Sequence, residues 1–345
     1  MQNGQDRTRF ELGRATRAAR LSGLVLMLAL GVLACSGEDD TAGDGGAGQG
    51  GAAGAAQGGA GSGGVDPQCA ALVEGNNTGF LVDGEERSFI LNLPTDAETN
   101  GPWPVVFNWH GLGDTAASMS LLISSLVDDP AFPFIGVTPE DTNLQILTFT
   151  LDWDTFQVDP ATNKEVRLFD EVLACLDARF GVDADRVHST GFSLGGIVTD
   201  MLGATRGDRL ASTATYSGAY FSNPDNVTAL GVLSSQVSWP APAHGNSYPQ
   251  MIMHGGAGDT YSMGVATLHF DQFAANDQLY LNGMGHDVVL CDHGGGHTAP
   301  AAGMYPAQVV QFFRDHPRGT SPSPYAGGLP PDFSTACVPQ PAAAN

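Results

Sequence analysis

The sequence predicts an α/β fold, a mostly parallel central sheet with helices on both faces. Three observations predict it. Short apolar runs with β-branched residues, such as Pro104 to Trp109 (PVVFNW), recur along the chain and are bounded by Pro and Gly. A segment of helical period, Val166 to Phe180, stands between such runs, and strands alternating with helices form parallel sheets covered on both sides. With 42% hydrophobic and only 15% charged residues, a 345-residue chain buries a sizeable core and is not disordered throughout.

Each element has its own signal. Gly79 to Leu93 reads as two strands around Asp83-Gly84, a hairpin turn signal. Pro104 to Trp109 and Phe134 to Thr138 read as buried strands. Val166, Phe169, Val172, Leu173, Leu176 and Phe180 share one helical face, and Gly181 stops that helix. Arg186 to Thr190 (RVHST) leads as a strand into Gly191, and Gly195 to Leu202 reads as the helix that follows. Ser212 to Tyr216, Gln250 to His254 and Val288 to Cys291 are extended. Pro306 opens a final helix whose Val309, Val310 and Phe313 face inward. No internal repeat is visible.

Charge sorts the function classes. Fourteen Lys and Arg stand against 37 Asp and Glu, a net charge of −23 that repels phosphate backbones and excludes nucleic-acid binding. Five of the arginines (Arg7, Arg9, Arg14, Arg17, Arg20) precede an apolar run, Leu21 to Ala34, that ends at Cys35. This is the layout of a secretory signal peptide, over residues 1–34. The run is shorter than the ~20 residues that span a bilayer as a helix. Val32-Leu33-Ala34-Cys35 resembles a bacterial lipobox, which would make Cys35 the lipidated N-terminus of an exported chain held to the cell envelope. Ordinary cleavage nearby, with release of the chain, is the alternative. Between Gly37 and Gly64, 13 of 28 residues are glycine, so residues 35–64 read as a flexible tether. The folded domain then occupies 65–317, and 318–345 reads as a Pro-rich tail. Beyond Cys35 the cysteines are Cys69, Cys175, Cys291 and Cys337, without a CxxC pair. In an exported chain they suggest two disulfides with three possible connectivities; Cys69 and Cys337 flank the domain, and the sequence does not choose.

The strongest chemical signal is Gly191-Phe192-Ser193-Leu194-Gly195, a G-x-S-x-G with a strand before it and a helix after it. Such a turn lifts the serine hydroxyl clear of the sheet and sets it at the positive end of the helix, where the Leu194 N–H can meet a developing oxyanion. A serine hydroxyl is a weak nucleophile and needs a base. Of nine histidines, His297 lies in a glycine-rich loop (Gly294-Gly295-Gly296-His297-Thr298) ahead of the final helix; His293 and His286 compete with it. A zinc site built from His286, Asp287, Asp292, His293 and His297 is the competing reading, although three glycines between His293 and His297 oppose a helical pair. The group that orients the histidine is read as Asp259, after the strand ending in His254-Gly255; Asp271 and Asp287 are substitutes. The second oxyanion donor is read as the Leu112 N–H in His110-Gly111-Leu112-Gly113, directly after PVVFNW, with His110 structural.

Together HGLGD, VDADRVHSTGFSLGG, MHGGAGD and GGGHTAP resemble the bacterial poly(3-hydroxybutyrate) depolymerase and feruloyl esterase group of carbohydrate esterase family 1-like α/β-hydrolases, in order from about Gly79 to Phe313. The resemblance implies an α/β-hydrolase fold, a Ser193–Asp259–His297 triad and an oxyanion hole from Leu112 and Leu194. It implies a serine carboxylic-ester hydrolase working without metal or organic cofactor. The ester would be a feruloyl or acetyl group on a polysaccharide, or a hydroxyalkanoate oligomer. The pattern departs at Ala299, where the family has tryptophan, and in the loop before Asp259, which is one residue longer. A binding lipoprotein on the same fold, a serine peptidase and a metallohydrolase are the other classes the residues leave open.

Overall fold

The computed structural model describes residues 65–146, 149–242, 245–298 and 306–342; the signal peptide, Cys35, the glycine tether and Ala299 lie outside the described residues. Strands β1 (Gly75–Val82) and β2 (Glu85–Asn92) form the expected hairpin, with Asp83 and Gly84 both at positive φ (50° and 83°), as its two-residue turn requires. Six parallel strands follow across the sheet in the spatial order β4 (Ile135–Pro139), β3 (Trp103–Trp109), β7 (Val182–Phe192), β8 (Ser212–Tyr216), β9 (Gln250–His254) and β12 (Val288–Asp292). The hairpin adds antiparallel beside β4, and β13 (Cys337–Gln340) closes the far edge antiparallel to β12. Two small ribbons, β5 (Leu144–Ile146) with β6 (Phe149–Leu151) and β10 (Thr260–Ser262) with β11 (Thr267–His269), stand outside this sheet.

Side chains alternate between the two faces of each strand, and the core divides accordingly. Val105, Phe107 and Trp109 pack with residues of α3 (Lys164–Phe180) and α4 (Leu194–Arg206), while Val106 packs with α2 (Ala116–Ile123) and α7 (Ala307–Asp315). The face of α3 read from its period is the buried one, and Phe169 lies 4.7 Å from Phe107, ring to ring. Asn163 caps this helix through the Glu165 and Val166 N–H groups, and Gly181 ends it at φ 75°. Helix α6 (Phe270–Gly283) packs on β9 and β12, and the short α1 (Pro67–Ala70) and α5 (Pro224–Ala229) are the remaining α-helices among the described residues. Among the described residues no helix is long and apolar enough to cross a membrane.

One boundary is corrected. Residues 318–342 are not a tail but part of the folded domain. Tyr325, Phe333 and Cys337 are buried, Tyr325 packs on Phe312 of α7, and the Asp287 carboxylate accepts hydrogen bonds from the Ser323 and Ala342 N–H groups. Composition hides this, because a few aromatic anchors and one short strand suffice to hold a Pro-rich segment against a domain. The disulfides join Cys69 to Cys175, tying α1 to α3, and Cys291 to Cys337, tying β12 to β13. Cys69 and Cys337 therefore do not pair with each other.

Candidate active site

The loops at the carboxyl ends of β3, β7, β8, β9 and β12 carry the site, where ligands bind in open α/β sheets. Ser193 sits between β7 and α4 at φ 54°, ψ −118°, a backbone conformation that costs an L-residue on the order of 1–3 kcal/mol and persists only when its surroundings enforce it. The flanking glycines supply the room. A Cβ on Gly191 would lie 2.2 Å from the Gly195 carbonyl oxygen, and one on Gly195 would lie 2.2 Å from that of Trp109. The Ser193 N–H donates to the Tyr216 carbonyl at 2.7 Å, pinning the turn to β8. Leu194 is the first residue of α4, so its N–H has no partner within the helix and faces the helix's positive end.

Three side chains far apart in sequence converge here. Ser193 Oγ is 3.0 Å from His297 Nε2, and His297 Nδ1 is 2.7 Å from Asp259 Oδ1. The second oxygen of Asp259 accepts from the Ser217 hydroxyl at 2.7 Å and the Gly255 N–H at 2.8 Å. Burial pushes the Asp259 carboxyl up, but the hydrogen bonds from His297, Gly255 and Ser217 outweigh it and hold the group below its ordinary value. An ionised Asp259 keeps the proton of His297 on Nδ1, which leaves Nε2 as the acceptor for the serine proton. The ring of His297 stacks with Phe270, at 4.7 Å and 12° from parallel, and with Phe192, at 5.2 Å and 27°. The loop carrying His297 is fixed to the loop carrying Asp259 by the Gly296 N–H, which donates to the Gly255 carbonyl at 2.9 Å; a Cβ on Gly255 would meet that same glycine at 2.1 Å.

Ser193, Leu194 and Leu112 line one cleft with Leu151, Phe156, Ile197, Phe221, Tyr261, Met263 and Phe270, an almost wholly apolar surface. The other sequence candidates fall elsewhere. His286 Nδ1 pairs with the Tyr248 carbonyl at 2.8 Å, and Asp287 serves residues 323 and 342. Asp271 lies in the first turn of α6. The zinc set His286, Asp287, Asp292, His293 and His297 is thus dispersed, and its histidine 297 is committed to Ser193 and Asp259. Sequence reading missed Ser217 and Phe270. Ser217 directly follows β8 and, at φ 51°, makes its own sharp turn at the strand end. A serine-glycine pair after a predicted strand was the available signal. Phe270 carried none, because its stacking on His297 is set only in three dimensions.

This sheet, this strand-to-helix turn and this order of Ser, Asp and His make the chain an α/β-hydrolase by fold. No protein-family model matches it. Among curated proteins it is similar to feruloyl esterase D of Neurospora crassa, 29% identical over 155 residues, which are 44% of this chain and 52% of that protein. The chain thus spans about half the length of this curated relative. Among solved structures it resembles native pOPH (TM-score 0.61, 16% identity, 79% of this chain and 96% of that one) and native sOPH (TM-score 0.61, 16% identity, 78% and 95%). At that identity the likeness is one of fold.

Proposed function

We propose that the protein is a serine carboxylic-ester hydrolase acting through an acyl-enzyme. The observation that carries the reading is the chain of hydrogen bonds from Ser193 through His297 to Asp259 at the mouth of an apolar cleft. His297 Nε2 takes the hydroxyl proton as Ser193 Oγ attacks the ester carbonyl. The Leu194 and Leu112 N–H groups receive the oxyanion, and Asp259 stabilises the imidazolium. His297 then returns the proton to the departing alcohol. Water, deprotonated by the same ring, attacks the acyl-serine, and the serine leaves with its proton restored. No step calls for a metal or organic cofactor.

The apolar cleft suits an aromatic acyl group such as feruloyl, or the methyl-bearing units of a hydroxyalkanoate, better than a hydrated sugar. The similarity to a feruloyl esterase supports the first. Export with a lipid on Cys35 is part of the proposal. It rests on the basic, apolar and Cys-terminated order of residues 1–35 and on the glycine-rich stretch behind it, and it would place the enzyme where polymeric esters are met outside the cell.

A fluorophosphonate probe tests the chemistry. Mass spectrometry should find Ser193 modified, with labelling absent in Ser193→Ala. A panel of feruloyl, acetyl-xylan and hydroxybutyrate esters then ranks substrates. A folded protein that hydrolyses none of them and leaves Ser193 unlabelled would return the binding-lipoprotein reading.

A further inference from the structure

Behind the oxyanion loop lies a second cluster of chemically able side chains that the ester-hydrolase reading does not use. His110 directly follows β3 and is fully buried, its ring 4.6 Å from that of Trp153. Its Nδ1 lies 2.9 Å from the Gly111 carbonyl, a geometry that requires a proton on Nδ1. In the neutral ring Nε2 then carries a lone pair, and it has no hydrogen-bond partner among the described residues. What it faces is two carboxylates: Glu140 Oε1 at 3.5 Å and Asp141 Oδ2 at 3.8 Å. Asp152, also buried, lies across the ring at 3.8 Å from Nδ1 and accepts the Gly113 N–H at 2.6 Å. One ligand atom each from His110, Asp141 and Asp152 falls within 4.8 Å of the others.

The Nε2 lone pair and the Glu140 and Asp141 oxygens it faces, with no hydrogen between them, repel unless something positive sits among them. Arg87, whose charge acts on Asp141, is engaged with the buried Glu165. The repulsion is set by the Glu140 and Asp141 oxygens that face Nε2. A proton on Nε2 would relieve it, but a charge-assisted N–H···O bond closes to about 2.7–2.9 Å, well inside the separations found here. Those separations instead approach the ligand-to-ligand edge of a tetrahedral site, about 3.3 Å for bonds of about 2.0–2.1 Å. Metal-bound imidazoles also characteristically donate their other N–H to a backbone carbonyl, as His110 does to Gly111.

We propose that His110, Asp141 and Asp152, with Glu140 beside them, form a binding site for a first-row divalent cation of the Zn²⁺ or Mn²⁺ type. One imidazole among carboxylates selects such an ion over Ca²⁺, whose sites are built from oxygen alone. The ion would fasten together the end of β3, the segment after β4 and the segment after β6. It would thereby hold the Gly111–Gly113 loop, and with it the Leu112 N–H, in place. Its role is structural, and it touches no reacting atom.

Full-length protein stripped with a chelator and titrated calorimetrically with ZnCl2, MnCl2 and CaCl2 in turn tests this. The expected result is one equivalent of Zn²⁺ or Mn²⁺ bound, with a higher melting temperature, and Ca²⁺ bound more weakly. Asp141→Asn and Glu140→Gln, at the more exposed rim of the cluster, should fold, and Asp141→Asn should weaken binding at least ~10-fold, the loss seen even for partners one shell further out. Absence of saturable binding by folded wild-type protein would overturn the site. So would tighter binding of Ca²⁺ than of Zn²⁺ and Mn²⁺, or unchanged affinity in Asp141→Asn, which would put the ion elsewhere, as at His254 and Asp292. Fluorophosphonate labelling of Ser193 needs no ion, so failure here leaves the hydrolase reading standing, and the reverse also holds.

Discussion

Replacing Asp259 by Asn probes the site most sharply, because the structure dictates how the amide must sit. One carboxylate oxygen receives the Gly255 N–H and the Ser217 hydroxyl, and the other receives His297 Nδ1. The Gly255 N–H can only donate, so the asparagine carbonyl must take that side. Its NH2 then faces His297 and donates to Nδ1, which drives the ring proton to Nε2. That nitrogen would point a hydrogen at Ser193 Oγ and could no longer accept the serine proton. The reversed tautomer should lower kcat about 10⁴-fold, equivalent to about 5.5 kcal/mol of barrier. Ester binding should hardly change, since the cleft is untouched, so KM should stay within about threefold of wild type. Steady-state kinetics on an activated ester, beside thermal melting to show that the variant folds, measures both. A folded Asp259→Asn enzyme within about tenfold of wild-type kcat would refute the reasoning.

Three further outcomes follow from the same structure. Ser217→Ala removes one of three donors to the Asp259 carboxylate and should lower kcat about tenfold, the smaller end of what a hydrogen bond to a charged group contributes; unchanged kcat would show that Ser217 only packs. Burial pushes the Asp277 carboxyl up to about 8, despite hydrogen bonds from the Tyr220 N–H and Asn226. A raised folded-state value means stability is fully present below about pH 4, the unfolded value, and is lost as pH rises through about 8. Urea unfolding should therefore find the protein less stable at pH 8 than at pH 5, with the difference reduced in Asp277→Asn; an equal difference in the variant would assign the pH dependence elsewhere. Replacing Cys291 and Cys337 by Ala opens a loop of sequence separation 46 and should cost about 4 kcal/mol in the chain-entropy account. Tryptophan fluorescence during guanidinium unfolding would measure that loss, and a change under about 1 kcal/mol would mean that β13 holds its edge without the covalent tie.

Much of this molecule is written locally. The period of Val166 to Phe180 and the glycine behind it specify α3 in any context, because a helix needs only its own apolar stripe and its caps. The hairpin at Asp83-Gly84 is equally local, since those two residues tolerate the positive φ that the turn demands. Ser193 was legible for a similar reason: glycines two residues either side are a steric necessity of the turn, and the contacts at Gly191 and Gly195 show why. Asp259 and His297 were legible through their order along the chain and the glycines around them.

Other features had no local signature. Disulfide pairing depends on which Cα atoms the sheet brings near, and so Cys69 found Cys175 rather than the far terminus. The segment after residue 317 looked like a tail because its anchors, Tyr325 and Phe333, are isolated in sequence and acquire partners only on the surface of α7 and beside one another. Ser217, the stacking of Phe270 on His297 and the carboxylates gathered around His110 arise from strands and loops far apart in the chain. Sequence alone marked the hairpin, the parallel strands, α3, α4 and α7, and the candidate trio Ser193, Asp259 and His297, because those rest on backbone sterics and short-range periodicity. Tertiary structure alone decided which side chains share a hydrogen bond, a disulfide or a charge cluster, because such contacts depend on distances that only the packed sheet sets.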